Sequence, residues 1–201
     1  SMSCQPDVAV ITNIGISHIE NLGTQENILK AKLEILDGAA YDAPLILCRD
    51  DKLLAGVQLH SDRKVYYYSV SKKDCDVYAS GVKTVDNSIT FTINYEGGKI
   101  AAKINCLGEH NVKNALAAFC VGLALDIPPE DIVKGIAQFK PEGLRQNVTV
   151  IDGVTYIVDC YNAAPDSMKA SLSVLSQAQA EGKRICVLGD MLELGKNSKT
   201  Y

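Results

Sequence analysis

VAVITNIGISHIENLGTQENILKAKLEIL, Val8 to Leu36, is the stretch that decides how this chain folds. Val8-Ala9-Val10-Ile11 is an unbroken apolar run, the pattern of a strand covered on both faces as in a parallel sheet. A loop with Gly15, His18, Glu20 and Gly23 follows. Thr24 is suited to cap a helix, with Glu26 in the first turn where the helix dipole favours an anion. At about 100° per residue, Ile28, Leu29, Ala31, Leu33, Ile35 and Leu36 share one broad apolar face, with Lys30, Glu34 and Asp37 opposite. Lys32 falls near the middle of that apolar face, where a charge is costly unless it is paired or chemically changed. A lysine there needs a reason beyond a snorkelling stem.

The rest of the chain extends this strand–helix unit. Pro44 to Cys48 reads as a second buried strand, 50–59 as a short helix and Val65 to Ser69 as a third strand, which implies a parallel sheet with right-handed crossovers. The segments 76–82, 88–95 and 99–105 alternate or are β-branched, with a turn at Glu96-Gly97-Gly98. They read as a small antiparallel sheet appended to the parallel one. Leu107 to Asn111 opens a long helix with the stripe Val112, Ala115, Leu116, Phe119, Cys120 and Leu123. Pro129 starts another helix that runs to Phe139. Lys140-Pro141-Glu142-Gly143 is the best domain boundary, which predicts domains of 3–141 and 142–201. Past it, 147–151 and 154–158 flank the hairpin signal Asp152-Gly153. A loop at 159–165, a helix from Asp166 to about Ala180 and a strand from Arg184 to Leu188 follow. The fold class is therefore α/β.

Composition narrows the function. Of 201 residues, 47% are hydrophobic and 22% charged, which describes a globular protein and not a disordered one. The net charge of −4 and the lack of a basic run argue against nucleic acid or an anionic membrane as partner. No apolar segment approaches membrane-spanning length. The seven cysteines are scattered, with no CxxC pair, which fits free thiols in a reducing cytoplasm better than zinc or disulfides.

In open parallel sheets ligands bind beyond the carboxyl ends of the strands. The polar residues expected there are Asn13 and His18 after the first strand, Asp159 and Asn162 after the hairpin, and Asp190 after the last strand. Asn111 and Asn114, three apart on a first helical turn, offer amide donors and acceptors suited to a planar heterocycle. Arg145 is either a solvated linker charge or a phosphate clamp. No GxxxxGK[ST] occurs, so by pattern these residues hold no phosphate-cradling loop.

The runs Val10 to Gly15, His18 to Gly23 and Ala31-Lys32 resemble the central domain of the Mur ligases, ATP-dependent amide ligases of peptidoglycan precursor synthesis. Leu107 to Ala118 resembles the family's adenine-side helix. Asp159 to Met168 and Leu188 to Gly195 resemble the branch that adds D-Ala-D-Ala. The resemblance implies a Rossmann-like carboxy-terminal domain after the boundary, represented here by its first α/β unit. It also implies an amino-terminal uridine-nucleotide domain and a P-loop strand and helix, without counterparts in these 201 residues. Ser1-Met2 looks like a cloning remnant, and the chain is expected to be a middle piece of a longer protein.

The resemblance further implies roles. Lys32 matches a lysine that becomes a carbamate and helps hold Mg²⁺, and His18 matches another ligand of that ion. Asn111 and Asn114 match the adenine-contacting motif, Asn114 being the stronger assignment. Arg145 matches an arginine that reaches the ATP phosphates, and Asp159 a carboxylate on the ribose hydroxyls. Tyr161 and Asn162 share that nucleotide-facing loop. Ala164 departs from the family, which usually has asparagine there. The implied activity joins UDP-N-acetylmuramoyl-tripeptide to D-Ala-D-Ala with ATP and Mg²⁺. These residues alone are expected to be inactive, and a dimer or packing contact is expected to cover the sheet edge left open. The alternatives are another Mur-type or folylpolyglutamate-type ligase, or a non-catalytic nucleotide-binding module.

Overall fold

The computed structural model describes residues 2–17, 19–59 and 62–200. Residues 1–14 and 24–139 form one compact unit, and residues 15–23 with 140–201 form the other.

The first unit is built on a six-stranded sheet in which sequence order is spatial order. β1 (Ala9–Ile11), β2 (Leu45–Cys48), β3 (Val65–Ser69) and β4 (Val77–Val85) run parallel, while β5 (Ser88–Tyr95) and β6 (Gly98–Ile104) continue it antiparallel. The antiparallel strands expected as an appendix are thus the far half of the same sheet. β4 makes the switch, pairing parallel to β3 at Tyr68↔Val77 and antiparallel to β5 at Ala79↔Ile93. β2 is buried along its whole length, as an apolar run flanked by parallel neighbours should be. β1 lies at the sheet's edge.

α1 (Ile19–Leu22) belongs to the second unit, and α2 (Gln25–Leu33) and α3 (Lys52–Ala55) follow β1 and β2. Thr24 caps α2, its Oγ1 accepting from Asn27 N at 3.2 Å. The helix read through Leu36 instead breaks into a 3₁₀ turn at Glu34–Asp37. Tighter winding advances residues by about 120° instead of 100°, and Ile35 and Leu36 are only half-buried. Ile28 is the only buried residue of α2, and Lys32 is exposed. The mid-stripe position predicted for Lys32 is therefore corrected.

α4 (Glu109–Ala124) lies on the sheet against β2, β3 and β4, burying Val112, Leu116, Phe119 and Cys120 completely. Phe119 meets Tyr95 edge-on at 5.3 Å between centroids. α5 (Pro129–Gln138), with Pro129 in its first turn, packs on β6 and α4.

The second unit holds a two-stranded hairpin, β7 (Asn147–Ile151) with β8 (Val154–Val158), and α6 (Pro165–Gln177). The strand predicted at 184–188 does not form. Ile185, Val187 and Leu188 are 75%, 96% and 59% exposed and have no ladder partner among the described residues. A β-branched run becomes a strand only when a neighbour takes its backbone bonds. Among the described residues no helix is long and apolar enough to cross a membrane.

Candidate functional site

The carboxyl end of β1 is a convergence point. Lys32 Nζ donates to Asn13 O at 2.8 Å, and Gln25 Nε2 donates to Ile14 O at 2.8 Å. From the other side Asp51 Oδ2 accepts from Ile14 N at 2.7 Å. Its Oδ1 caps α3, accepting from Leu53 N at 2.9 Å and Leu54 N at 3.0 Å. One carboxylate thus joins two strand ends and a helix start, while two side chains of α2 reach the same peptides. The stem of Lys32 is exposed, but its amine loses water against the strand end, which lowers its pKa; the charge of Asp51 works in the opposite direction. The reason Lys32 needs is this tether and not burial in a stripe.

Asp50, next along β2's exit, ties down the exit of β3. It accepts from Ser69 Oγ at 2.6 Å, from Val70 N at 2.9 Å and from Ser71 Oγ. Burial pushes its carboxyl pKa up, but the hydrogen bonds from Ser69, Ser71 and Val70 outweigh that and hold it low. Asp50 and Asp51 were not singled out in the sequence. The available signal was two adjacent acids directly after a buried strand, where a helix cap is due.

At the start of α4 the two asparagines differ. Asn111 Nδ2 is committed to Leu107 O at 2.8 Å and so braces the helix entrance. Asn114 is exposed and touches Asn111 Oδ1 at 3.5 Å, which leaves its amide able to meet a ligand. Arg145, Asp159 and Tyr161 come together in the second unit. Leu144 O accepts from both Cys160 N at 2.9 Å and Tyr161 N at 3.3 Å, and the Arg145 guanidinium lies 4.3 Å from the Tyr161 ring centre. Asp159 accepts from Gln146 N at 3.3 Å and from Ser171 Oγ, one bond per carboxylate oxygen. Each oxygen keeps a lone pair, so a vicinal diol can still donate to it. Asn162 Oδ1 accepts from Ala163 N at 2.9 Å, a local turn bond. Asp190 lies in an exposed stretch without regular structure.

His18 lies outside the described residues. Among the described residues no group of three or more His, Cys, Asp or Glu converges to hold a metal. A hard cation such as Mg²⁺ takes oxygen ligands, and Lys32 offers an amine beside one carbonyl oxygen. The residues fit the ion only once that amine carries a carboxylate.

Residues 1–122 match the Mur ligase middle domain and residues 144–201 the Mur ligase glutamate ligase domain. Over its whole length the chain is 40% identical to the UDP-N-acetylmuramoyl-tripeptide–D-alanyl-D-alanine ligase of Bacillus subtilis, of which it spans 43%. It is 30% identical to the Escherichia coli enzyme of the same name, with 97% of this chain and 43% of that one aligned. The crystal structure of MurF from Acinetobacter baumannii superposes with a TM-score of 0.89 at 33% identity, over 98% of this chain and 42% of that one. MurF from Thermotoga maritima in complex with ADP gives 0.82 at 26% identity, over 98% and 45%. The chain thus spans less than half the length of the relatives it matches. It belongs to the Mur ligase family and resembles the family's MurF branch.

Proposed function

We propose that this chain is the middle portion of a cytoplasmic, ATP-dependent amide ligase that joins D-Ala-D-Ala to UDP-N-acetylmuramoyl-tripeptide during peptidoglycan precursor synthesis. The supporting observation is Lys32 Nζ tethered 2.8 Å from Asn13 O at the carboxyl end of a parallel strand, in a chain similar along its whole length to enzymes of that name. The proposed domains are 3–141 and 142–201.

ATP phosphorylates the terminal carboxylate of the tripeptide. The amine of D-Ala-D-Ala attacks the acyl phosphate, and the tetrahedral adduct collapses to the amide and inorganic phosphate. Catalysis of this kind is mostly alignment and charge neutralisation. Asn114 reads adenine while Asn111 braces the turn that carries it. Asp159 takes the ribose hydroxyls. Arg145, stacked on Tyr161, meets phosphate oxygens, and Asn162 shapes the loop beside them. Lys32 reacts as the neutral amine with CO₂, losing a proton and becoming a carbamate; its lowered pKa favours that form. As carbamate it would hold Mg²⁺ with His18, the ion supplying positive charge at the transferring phosphoryl group.

The test uses the full-length protein with UDP-N-acetylmuramoyl-tripeptide, D-Ala-D-Ala and ATP. One amide product should form per phosphate released. Asn114→Ala should raise the KM for ATP with little change in thermal stability, since that side chain is exposed. Undiminished ligation by Lys32→Ala would remove the lysine from the mechanism, and ligation of glutamate in place of D-Ala-D-Ala would move the chain to another branch.

A further inference from the structure

The motif Leu188 to Gly195 carries a resemblance but no role. From residue 179 to residue 200, Leu194 is the only buried residue among those described, at 4% exposure against 77% for Leu192. Its neighbours Glu193 and Gly195 are both left-handed, with φ of 60° and 61°. A glutamate holds that conformation only where its surroundings demand it.

The backbone on either side of Leu194 meets α1. Glu193 O accepts from Glu20 N at 3.3 Å. A Cβ on Gly195 would lie 3.5 Å from Glu20 Cα, and the 3₁₀ turn Gly195–Thr200 packs on α1. α1 itself has four residues, none buried, closed by Gly23 N donating to Ile19 O at 2.7 Å. A single turn that short does not hold itself in water. Each segment therefore supplies what the other lacks: an anchor for an exposed stretch, and a brace for a marginal turn. In sequence α1 lies between Asn13 and Lys32, the two ends of the tether, yet it clusters with residues 140–201.

We propose that Glu193-Leu194-Gly195 is a clamp on the Ile19–Leu22 turn, and that through this turn it is a positioning element for the connection between Asn13 and Lys32. Its bearing on catalysis rests on the role proposed for Lys32; the clamp itself does not.

Native-state hydrogen exchange on the 201-residue chain tests it. Leu194→Ala should speed exchange at the amides of Glu20 and Gly23, which donate to Glu193 O and Ile19 O, by about tenfold or more, the effect of removing a buried leucine's methyl groups, while β7, β8 and α6 keep their protection. Gly195→Val, strained at a positive φ, should give the same local loss. Unchanged exchange at Glu20 and Gly23 overturns the proposal. So does an equal loss across β7, β8 and α6, which would make Leu194 an ordinary contributor to global stability. In the full-length ligase, Leu194→Ala should lower kcat more than it raises any KM, with Leu194→Met restoring it. An unaffected kcat beside the exchange effect would leave a clamp with no positioning role and refute that half. Active Lys32→Ala would instead sink the reading of Lys32 and leave the exchange result standing.

Discussion

Gly122→Ala sets two well-measured effects against each other. In an exposed helix interior the change stabilises by about 1 kcal/mol, because glycine surrenders more backbone entropy. Gly122 is buried in α4, however, where α5 crosses. A Cβ there would lie 2.5 Å from Ile132 Cδ1, 2.6 Å from Cγ1 and 3.1 Å from Cγ2. Three atoms of one β-branched side chain are in the way, and such a side chain has few rotamers to escape into. Overpacking of this kind costs about 1–3 kcal/mol, so the variant should be less stable than the parent by about 1 kcal/mol net. With Ile132→Ala in the background the obstruction is gone, and the same substitution should then stabilise by up to about 1 kcal/mol. The sign reversal amounts to a coupling of about 2 kcal/mol, within the range seen for residues in contact. Urea unfolding of the four proteins of the cycle measures it. Equal or greater stability of Gly122→Ala in the parent background would refute the claim that α4 and α5 meet at this glycine.

Other consequences are as direct. Asp51→Ser keeps an oxygen for capping α3 but cannot also serve Ile14 N, so it should cost about 2 kcal/mol in urea unfolding, the range for a bond to a charged acceptor; no loss would mean that the Ile14 bond is idle. The depressed carboxyl of Asp50 stabilises the fold fully above the ordinary value of 3.8, and that contribution is lost as pH falls through the lower folded value. Asp50→Asn should therefore flatten the acid limb of the stability–pH curve, and an unaltered limb would contradict this. Among the thiols, Cys4, Cys160 and Cys186 are exposed, while Cys48, Cys106 and Cys120 are buried, with Cys106 pushed up to about 11 by burial. A thiol reagent should label the first set fast in the native protein and the second only on unfolding.

Much of the first unit could be read from residues alone. The buried run at 45–48, the strand at 65–69, the Thr24 cap, the turn at 96–97 and the α4 stripe are local signals, and local physics formed them. What escaped depends on distant partners. β4 alternates like any half-buried strand, and nothing in it announces a parallel neighbour on one side. The wheel around Lys32 failed because it assumed that the whole apolar face is covered, whereas Ile28 alone is buried in α2 and Leu29, Ala31 and Leu33 are only half-buried. Arg184 to Leu188 has strand propensity without a ladder to join. Within the site, Lys32, Asn111 and Asn114 stood out by position and type. Asp50 and Asp51 did not, because a carboxylate that bridges loops is defined only when those loops meet.

The switch of direction at β4 also sets an order of assembly. Tyr95 pairs with Gly98, and Val85 with Ser88, so β4, β5 and β6 close over very short loops. Leu45 must find Val65, and Ala9 must find Leu45, across much longer ones. Closing a longer loop costs more entropy before any contact repays it. The meander should therefore zip first and β1 dock last. Asn13 follows β1, so until that strand lands Lys32 has no carbonyl to reach. The end of β1 where Lys32 reaches Asn13 would then be the last part of the first unit to exist during folding, and the first to be lost when the edge frays. Pulse-labelled exchange that protected Ile11 ahead of Ile93 would reverse that order.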